Sequence, residues 1–528
     1  KNKTYKARFL AESYWDKEKK QPRNRIIANL SSLPLEMIET IRAHLKGGTQ
    51  LSVKQLGVDK AYDHGQVAAF WGLAKDAGLI TLLEKHLKTN AGKVLAMVIN
   101  RIADPKAKYS LRDWLSTTTL PKLLGKDLAH FHYNCCYEAL DSLYEKQEEI
   151  EDGLRGEPAT LLLYDLTSSY YEGNGADDLL NFGYNRDKKK GKKQIVIGLV
   201  TDKKGKPLSV EVLPGNTGDK GVLKERVDSL KQRFGVKEVI IVFDRGMATA
   251  PNKLALGEKG IDYITALTPD EVKQLAADNQ ELQLGLFDKK DLLQIKIIRE
   301  TKERERYEEK LILCRSEEKA KKDNKQFAAL VKKTEGKLKM IQGMIAKGRL
   351  KDPIKIAKRV GKWINHWKVG KYFETKIAKE HLSYQKKEIE FGKQDMLSGM
   401  YVLATSTDKL KPKEIQEAYK SLSKVEADFR VLKSSLKVRP IYHWKEERIK
   451  AHVFICFLAL WLRWHFEKRL EPMWKNHTRS QVEGELKKLK VLYLAPKSVL
   501  KKPFLTKTTK LQQQIFNLLG FPMPHLSS

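Results

Sequence analysis

Five short apolar runs between residues 158 and 268 constrain the fold more than any other feature of the sequence. They are rich in β-branched residues and are separated by Gly, Pro and Asn, which is typical of β-strands joined by turns. The runs are TLLLYDLTSSYYE, KQIVIGLVTD, PLSVEVLPG, VIIVFDRGM and DYITAL. A helical pattern, GVLKERVDSLKQRF, lies between the third and the fourth. This alternation predicts an α/β domain.

The order of these elements narrows the kind of sheet. Three consecutive strands, then a helix, then another strand form the opening of a ribonuclease-H-like mixed sheet. We therefore predict a ribonuclease-H-like mixed-sheet core whose first half spans residues 158–268. Order and spacing alone leave an α/β fold of another kind open.

The segment before residue 158 has a different pattern. Two strand-like runs flank the polar turn KEKKQPRN and predict a small basic β-hairpin arm over residues 1–34. Over residues 35–157, apolar residues recur at spacings of three and four. That spacing predicts a mostly helical N-terminal domain.

The segment after residue 268 is predicted to interrupt the core and then to complete it. Residues 269–394 are heavily basic and mix amphipathic helices with strand-like runs, so we interpret them as a basic α+β insertion domain. A strand (GMYVLATS), a long helix from Lys413 to about Lys433 and a very apolar helix from Glu446 to Leu470 would complete the core over residues 395–475. Residues 476–528 form a basic, weakly patterned C-terminal region.

The charge balance indicates a polyanionic partner. The 528 residues include 100 Lys and Arg against 66 Asp and Glu, a formal net charge of +34. An excess of this size favours nucleic acid. A ribosome-associated protein, a membrane-surface protein or a host with generally lysine-rich proteins would show the same balance.

Cysteine usage and hydropathy bear on the compartment. The four cysteines form no CxxC pair, so a zinc site or a disulfide framework is not expected, which fits a reducing cytoplasm. The longest apolar run, Val453 to Leu462, is too short to span a bilayer and predicts a buried helix. The first residues, KNKTYKARFL, lack the apolar region of a signal peptide. We expect a cytoplasmic protein with no membrane partner.

Two aspartates follow apolar runs directly. Asp165 ends TLLLYD and Asp244 ends VIIVFD. A carboxylate placed directly after several buried residues is held by a rigid strand, where precise ligands belong. A strand-terminal Asp also commonly caps a following turn, so each motif alone is ambiguous. Together in one α/β unit they predict a functional pair.

A third carboxylate stands on the helix YKSLSKVEADFRVLK. One predicted face of this helix carries five residues spaced three or four apart: Tyr419, Leu422, Glu426, Phe429 and Lys433. Polar groups on an inward face are costly to bury unless they meet a metal ion or phosphate. Alternatively, the helix is rotated and Glu426 and Lys433 are simply exposed.

Three carboxylates suit hard divalent cations. Mg²⁺ prefers oxygen ligands and keeps waters and phosphate oxygens in its shell. Two such ions about 4 Å apart could activate a water or a 3′-hydroxyl and stabilise the leaving oxygen of a phosphoryl transfer. The sequence contains no His–Cys cluster, GxxxxGK[ST] loop or GxSxG elbow, so zinc hydrolysis, nucleotide hydrolysis and serine catalysis lack support.

Four blocks in order give the chain a family resemblance. They are YDLTSSYYEG; GYNRDKKKGKKQIVIGLV with LPGNTGDK; VIIVFDRGM; and YKSLSKVEADFRVLKSSLKVRPIYHWKEERIKAHVFICFLAL. Together they resemble the bacterial insertion-sequence DDE transposases that bear a Tyr-x2-Arg-x3-Glu-x6-Lys signature. The resemblance covers most of residues 160–270 and 395–470.

The resemblance implies a function and a set of site residues. Asp165, Asp244 and Glu426 would be the catalytic and metal-binding triad, holding two Mg²⁺ ions, with Mn²⁺ as a possible substitute. Tyr419 and Lys433 match the signature and would contact DNA phosphates near the cleaved end. The partners would be double-stranded DNA, as transposon ends and target, and a second copy of the chain in the synaptic complex. Apart from the resemblance, we assign recognition of the DNA ends to the domain over residues 35–157 because it is helical, follows a basic hairpin and has no other role.

One signature position departs from the family pattern. Leu422 stands where the signature has Arg. In relatives that seal the transposon end as a hairpin, this Arg helps hold the distorted strand, so hairpin chemistry is in doubt here. Arg430, one turn beyond Glu426, is a candidate substitute.

Two tryptophans are further candidate DNA-binding residues. Related transposases use a Trp from the insertion domain to stack on a flipped base. Trp363 and Trp367 lie in the basic, aromatic stretch KWINHWKVGKYF, which suits phosphate contact combined with stacking. Equally, both could be core residues of the insertion domain.

Three functions follow from these observations. The first is a cut-and-paste transposase that binds terminal inverted repeats, cleaves DNA and transfers the strands. The second is a non-catalytic DNA-binding protein derived from a transposase. The third is another ribonuclease-H-like nuclease, although simple hydrolysis requires neither a large basic insertion nor a helical N-terminal domain. We expect a nucleoid-associated bacterial transposase.

Overall fold

The protein is described from a computed structural model. The structure describes residues 7–46, 57–125, 131–156, 160–173, 175, 178–184, 186–187, 189–218, 240–288, 291–300, 306–378, 381–495 and 503–522. The chain divides into two compact units. The first comprises residues 1–72, 113–129 and 472–528, and the second comprises residues 73–112 and 130–471.

The described strands and helices are numbered in chain order. The strands are β1 Phe9–Asp16, β2 Gln21–Asn29, β3 Gly57–Asp63, β4 Leu161–Tyr170, β5 Gln194–Asp202, β6 Pro207–Pro214, β7 Ile240–Val242, β8 Asp262–Ala266, β9 Leu293–Glu300, β10 Arg306–Arg315, β11 Phe373–Ala378, β12 His381–Lys386, β13 Met400–Thr405, β14 Lys490–Ala495 and β15 Phe504–Leu505. The helices are α1 Leu35–Leu45, α2 Gly65–Asp76, α3 Leu79–Leu87, α4 Ala91–Ala103, α5 Leu111–Ser116, α6 Leu120–Leu123, α7 Tyr133–Glu145, α8 Gln147–Arg155, α9 Ala250–Glu258, α10 Pro269–Asp278, α11 Gln280–Phe287, α12 Glu317–Ala346, α13 Pro353–His366, α14 Glu388–Leu397, α15 Pro412–Lys420, α16 Leu422–Ser434, α17 Glu446–Arg469, α18 Arg479–Lys487 and α19 Lys510–Leu519.

The first unit contains the predicted hairpin and a small sheet. β1 and β2 pair antiparallel, with Asp16 opposite Gln21 at the turn. The other sheet has the order β15-β14-β3. A buried hydrogen bond joins His64 Nδ1 and Thr119 Oγ1 at 2.8 Å within this unit.

The second unit contains a large mixed sheet, as the α/β prediction requires. Within the described residues its strand order is β6-β5-β4-β7-β8-β13-β10-β9. β4 pairs antiparallel with β5, and β5 with β6. β4 pairs parallel with β7, and β7 with β8. The mixed α/β class is therefore confirmed. The helix predicted from GVLKERVDSLKQRF lies outside the described residues.

The sheet continues into the segment predicted as an insertion. β13 pairs antiparallel with β8 and β10, and β10 pairs antiparallel with β9. β10 is buried continuously from Glu309 to Cys314, as expected of a strand covered on both faces. Residues 293–300 and 306–315 thus belong to the sheet, while the predicted domain boundaries themselves stay a prediction.

The remainder of the predicted insertion has a core of its own. α12 packs against α13 and β12. Apolar residues from these helices, from the segments that follow them and from the antiparallel β11–β12 hairpin form one buried cluster: Val331, Leu338, Ile341, Ile345, Leu350, Ile356, Val360, Val369, Tyr372, Phe373 and Leu382.

The very apolar, buried helix predicted from Glu446 to Leu470 is present as α17. α17 packs against α4, α7, α16 and β6. By length and composition it could cross a membrane, and among the described residues it is the one helix that could. However, 83% of its most apolar window is buried inside the protein. A helix that is apolar on all sides and covered on all sides is a core helix.

The prediction of one continuous helix from Lys413 to about Lys433 is wrong, because the helix is interrupted. The structure has two helices, α15 and α16, that meet at Ser421. The Ser421 hydroxyl donates to the Glu417 carbonyl at 3.0 Å, and the Ser423 hydroxyl donates to the Lys420 carbonyl at 2.8 Å. Serine hydroxyls that bond to preceding carbonyls compete with the helical ladder and bend the chain.

Candidate active site

Asp165 lies within a strand of the large sheet. β4 continues to Tyr170, so the prediction that Asp165 lies at the end of its strand is wrong. Pairing with β7, however, is recorded only up to Leu163 opposite Val242, two residues before Asp165. β5 continues alongside, with Leu199 opposite Asp165. The carboxylate therefore stands just beyond the point where the parallel neighbour ends.

Burial is the largest influence on the pKa of the Asp165 carboxyl. The side chain is half-buried, and burial raises the pKa of its carboxyl to about 7. The Leu166 N–H, which donates to Asp165 Oδ1 at 2.7 Å, and the charge of Arg186 act in the opposite direction. The charges of Asp244 and Glu426 raise the pKa further. Asp165 is thus near the midpoint of its titration at neutral pH, and a cation bound beside it would favour the ionised form.

Asp244 stands two residues beyond the parallel strand β7. β7 is fully buried, and Phe243, next in the chain, donates its N–H to the Ile264 carbonyl at 3.2 Å. A short 3₁₀ turn begins at Arg245, and the Met247 N–H donates to the Asp244 carbonyl at 3.0 Å. The Asp244 side chain is exposed. The strand end therefore directs this carboxylate into solvent at the edge of the sheet.

Glu426 stands on α16, which packs against β4. The buried residues of this helix are Leu422, Val425, Phe429 and Leu432, and Glu426 itself is exposed. The prediction that Glu426 belongs to a buried face is therefore wrong. The reason is a rotation: Val425 occupies the inward position, and Glu426 is directed to the side.

One cleft brings the three carboxylates together. Asp165, Asp244 and Glu426 all line it, along with Tyr419 and Leu422. Its wall also includes five cationic side chains: Arg245, Lys273, Lys319, Lys371 and Lys420. Acids and bases from β4, the end of β7, α10, α12 and α15–α16 thus face one space. In the described part of the chain, no group of three or more His, Cys, Asp or Glu side chains is close enough to hold a metal ion as it stands.

Tyr419 lies beside the carboxylates despite the helix break. Burial raises the pKa of its hydroxyl to about 12, and the charges of Asp244, Glu426 and Asp165 act in the same direction against that of Arg245. The hydroxyl is therefore protonated at neutral pH and can donate a hydrogen bond into the cleft.

Lys433 is held by a residue that the sequence did not single out. Its Nζ lies 2.9 Å from Asp187 Oδ1, and the side chains of Lys433 and Asp187 are only 13% and 4% exposed. Arg439 forms an ion pair with the same carboxylate oxygen. Burial lowers the pKa of Lys433, while the hydrogen bond and charge of Asp187 raise it. The sequence offered one indication of these residues: Asp187 and Arg439 each lie within one of the four blocks that resemble the family.

The other candidate DNA-binding residues lie elsewhere. Arg430 is exposed and, within the described residues, is not part of the cleft wall. Trp363 and Trp367 stack at 5.8 Å between ring centroids and pack, half-buried, against the cluster formed by α12, α13 and the hairpin. Lys337 Nζ lies 4.5 Å from the Trp363 ring centroid. The two tryptophans therefore pack at the margin of that core and remain partly open to solvent.

Comparisons with known proteins place the amino-acid sequence in a family. No curated protein matches the sequence. Solved structures that match include the cryo-EM structure of a piggyBac transposase synaptic complex with hairpin DNA. That match is 11% identical, covers 87% of this chain and 77% of that chain, and has a TM-score of 0.34, too low to support an argument. The family model described as the transposase DDE domain matches residues 157–462, more than half of the chain. The chain therefore belongs to the transposase DDE domain family, which implies a DNA phosphoryl-transfer enzyme.

Proposed function

We propose that the protein is a transposase that binds the terminal inverted repeats of its element, cleaves DNA and transfers the freed strands to a target. The single observation that carries the proposal is the cleft that Asp165, Asp244 and Glu426 line together. These residues come from the middle of a strand, the end of a strand and a helix, yet they face one space. Membership of the transposase DDE domain family supports DNA as the substrate.

The strand order supports a ribonuclease-H-like core. β6, β5 and β4 are antiparallel neighbours, and β7 and β8 follow in parallel on the other side of β4. This arrangement agrees with the predicted opening of three consecutive strands. The helical body of residues 317–386 would be the main part of the insertion between Asp244 and Glu426.

The carboxylates fit a divalent metal by their chemistry. DDE transposases generally use divalent metal ions, and hard oxygen donors are the ligands that Mg²⁺ prefers. Asp165, Asp244 and Glu426 would hold two Mg²⁺ ions, or Mn²⁺ in their place. A metal bound there would supply Lewis-acid stabilisation of the charge that develops on the phosphate and its leaving oxygen. Burial raises the pKa of Asp165 to about 7, the charges of Asp244 and Glu426 raise it further, and a bound cation would favour its ionised form.

The neighbouring residues of the chain would position the DNA. Tyr419, protonated at neutral pH, can donate its hydroxyl to a phosphate oxygen beside the carboxylates. Lys433 would add a positive charge near the cleaved end, and the lysines of the cleft wall would attract the approaching backbone. The protein would act as a homodimer that joins two DNA ends, in the cytoplasm of a bacterium and in association with its nucleoid.

A plasmid-nicking assay tests this function. The full chain would be incubated with Mg²⁺ and a supercoiled plasmid carrying the DNA that flanks both ends of its coding sequence. We expect nicks near the element ends with the wild type and with the exposed control Asp278→Ala, and none with Asp244→Ala. Tight binding without metal-dependent nicking by the wild type would contradict a transposase and favour a non-catalytic DNA-binding protein. Nicking without preference for the flanking DNA would favour another nuclease.

A further inference from the structure

Two cations contact one buried carboxylate, Asp187, and a third cation, Arg186, precedes it in the chain. We propose that Arg439, together with Lys433 and Arg186, forms a binding site for a DNA phosphate, and that Asp187 positions these side chains. The inference rests on the proposed function, because it takes the ligand to be a phosphodiester of the bound DNA. It assigns to Arg439 a contact with the DNA backbone, and not the hold on a distorted strand that the signature Arg would supply at position 422.

The contacts of Asp187 define the cluster. Lys433 donates to Asp187 Oδ1 at 2.9 Å, and Arg439 forms an ion pair with the same oxygen. Both Arg439 and Arg186 lower the pKa of Lys433 by their charge, so all three cations are near one another. Lys433 and Arg439 share the one negative charge of Asp187, so these two cations exceed the carboxylate that they contact by one positive charge. A singly charged phosphodiester would still be attracted after Asp187 has been counted.

Arg186 connects this cluster to the catalytic strand. Its backbone N–H donates to Ser168 Oγ at 2.9 Å, and its guanidinium donates to the Leu166 carbonyl. Both partners lie on β4, one and three residues beyond Asp165. The charge of Arg186 also acts on the carboxyl of Asp165 and lowers its pKa. A phosphate held by the cluster would therefore be adjacent to the carboxylates.

Of the two cations that contact Asp187, Arg439 is the more exposed and can meet the ligand. Its side chain is 28% exposed, compared with 13% for Lys433 and 4% for Asp187. The guanidinium lies 5.9 Å from the ring centroid of Tyr170, which restricts its orientations. A guanidinium with several donors can keep its contact with Asp187 and still present N–H groups to a phosphate.

Two other positions on the same helix fit a contact with the DNA backbone less well. Leu422 is 8% exposed and apolar, so it offers no contact to a phosphate. Arg430 is exposed on α16 and is not among the described residues of the cleft wall. Arg439, by contrast, shares a carboxylate with Lys433, the signature lysine of the same block.

DNA-binding measurements at several salt concentrations test the assignment. Full-length wild type, Arg439→Ala and Arg439→Lys would be titrated with a labelled duplex from the DNA that flanks the coding sequence. Arg306→Ala is the matched control, because Arg306 is an exposed arginine paired only weakly with Glu300 at 3.3 Å. Losing one phosphate contact should reduce the slope of log K against log salt by about 0.9 for Arg439→Ala. Arg439→Lys should keep the slope, and Arg306→Ala should match the wild type.

The outcomes separate this inference from the proposed function. Wild-type cleavage together with an Arg439→Ala slope equal to that of Arg306→Ala would overturn the inference and leave the function standing. A wild type that neither binds nor nicks the flanking DNA would instead contradict the function. Thermal melting of Arg439→Ala and Arg439→Lys checks folding. If both variants are equally destabilised and only Arg439→Lys keeps the slope, the charge at this position binds DNA.

Discussion

Lys433 Nζ lies 2.9 Å from Asp187 Oδ1, and this contact joins helix α16 to the segment between β4 and β5. The helix carries Glu426, and β4 carries Asp165. The ion pair therefore connects the helix that carries Glu426 to the segment that follows the strand carrying Asp165. Because both side chains are largely buried, the contact should also contribute to the stability of the folded state.

Replacing Asp187 by Asn should lower stability. Lys433 and Arg439 would then be left as neighbouring cations with no carboxylate between them. Removing a hydrogen bond between charged groups from a buried site costs about 2 kcal/mol, so the free energy of unfolding should fall by about that amount. Denaturant unfolding monitored by circular dichroism measures it. Asp187→Glu should recover part of the loss, and equal stability of Asp187→Asn and the wild type would show that the pair contributes nothing.

Asp165 should make stability depend on pH in the absence of metal. Its pKa rises from 3.8 to about 7 in the folded chain, so the folded state favours the protonated carboxyl. This contribution is fully present below the unfolded pKa and is lost as pH rises through the folded pKa. Asp165→Asn should therefore gain stability relative to the wild type between about pH 4 and pH 7. Melting temperatures across this range, with chelator and then with Mg²⁺, provide the comparison.

Melting temperatures measured with Mg²⁺ are the control for the comparison of Asp165→Asn with the wild type. A divalent cation at the carboxylates favours the ionised form of Asp165 and should reduce the difference between the two proteins. A difference that is constant with pH would contradict the burial of Asp165.

The buried network around Glu309 should be among the largest single contributions to stability in the sheet. Glu309 is fully buried and accepts hydrogen bonds from Lys253 at 2.6 Å, Tyr263 at 2.8 Å and Arg299 at 2.8 Å. Removing one partner of a buried ion pair costs about 3–5 kcal/mol, and Glu309→Gln should lose this much in denaturant unfolding. Glu300→Gln, which breaks an exposed pair on the neighbouring strand, should lose less than about 1 kcal/mol. Similar losses for the two variants would contradict this prediction.

DNA ends produced by the protein should be open rather than sealed as hairpins. Leu422, at the signature position of Arg, lines the cleft with an apolar side chain that cannot hold a distorted phosphate. Denaturing gels of the cleavage products distinguish the two, because a hairpin migrates at twice the single-strand length. Leu422→Arg serves as the comparison protein. Hairpin products from the wild type would show that another residue performs the role of the missing Arg.

Much of the sheet could be predicted from the sequence, because buried strands in a mixed sheet appear as short apolar runs. The five runs between residues 158 and 268 correspond to β4, β5, β6, β7 and β8. The apolar helix α17 was equally clear, since it is covered on all sides. The joining of β9 and β10 to the sheet was not predictable, because pairing between strands far apart in sequence leaves no local pattern.

The candidate site was predictable in its residues but not in its geometry. Asp165, Asp244 and Glu426 do line one cleft, yet Glu426 is exposed and α16 is rotated from the predicted face. Val425 and Leu432 take inward positions on this helix, and the spacing of apolar residues did not distinguish that set from the predicted face. The roles of Asp187 and Arg439 were not predicted, because their ion pair joins segments about 250 residues apart in the sequence.

The three carboxylates of the cleft should carry out metal-dependent DNA cleavage. The most direct test is the single-turnover cleavage rate of a labelled duplex from the flanking DNA, measured with Mg²⁺ for the wild type, Glu426→Gln and Glu417→Gln. Glu417 is an exposed residue of α15 and provides the matched control. We predict that Glu426→Gln binds the duplex as the wild type does but cleaves it about a hundredfold more slowly or worse, while Glu417→Gln is unaffected. Cleavage by Glu426→Gln at the wild-type rate would contradict the account.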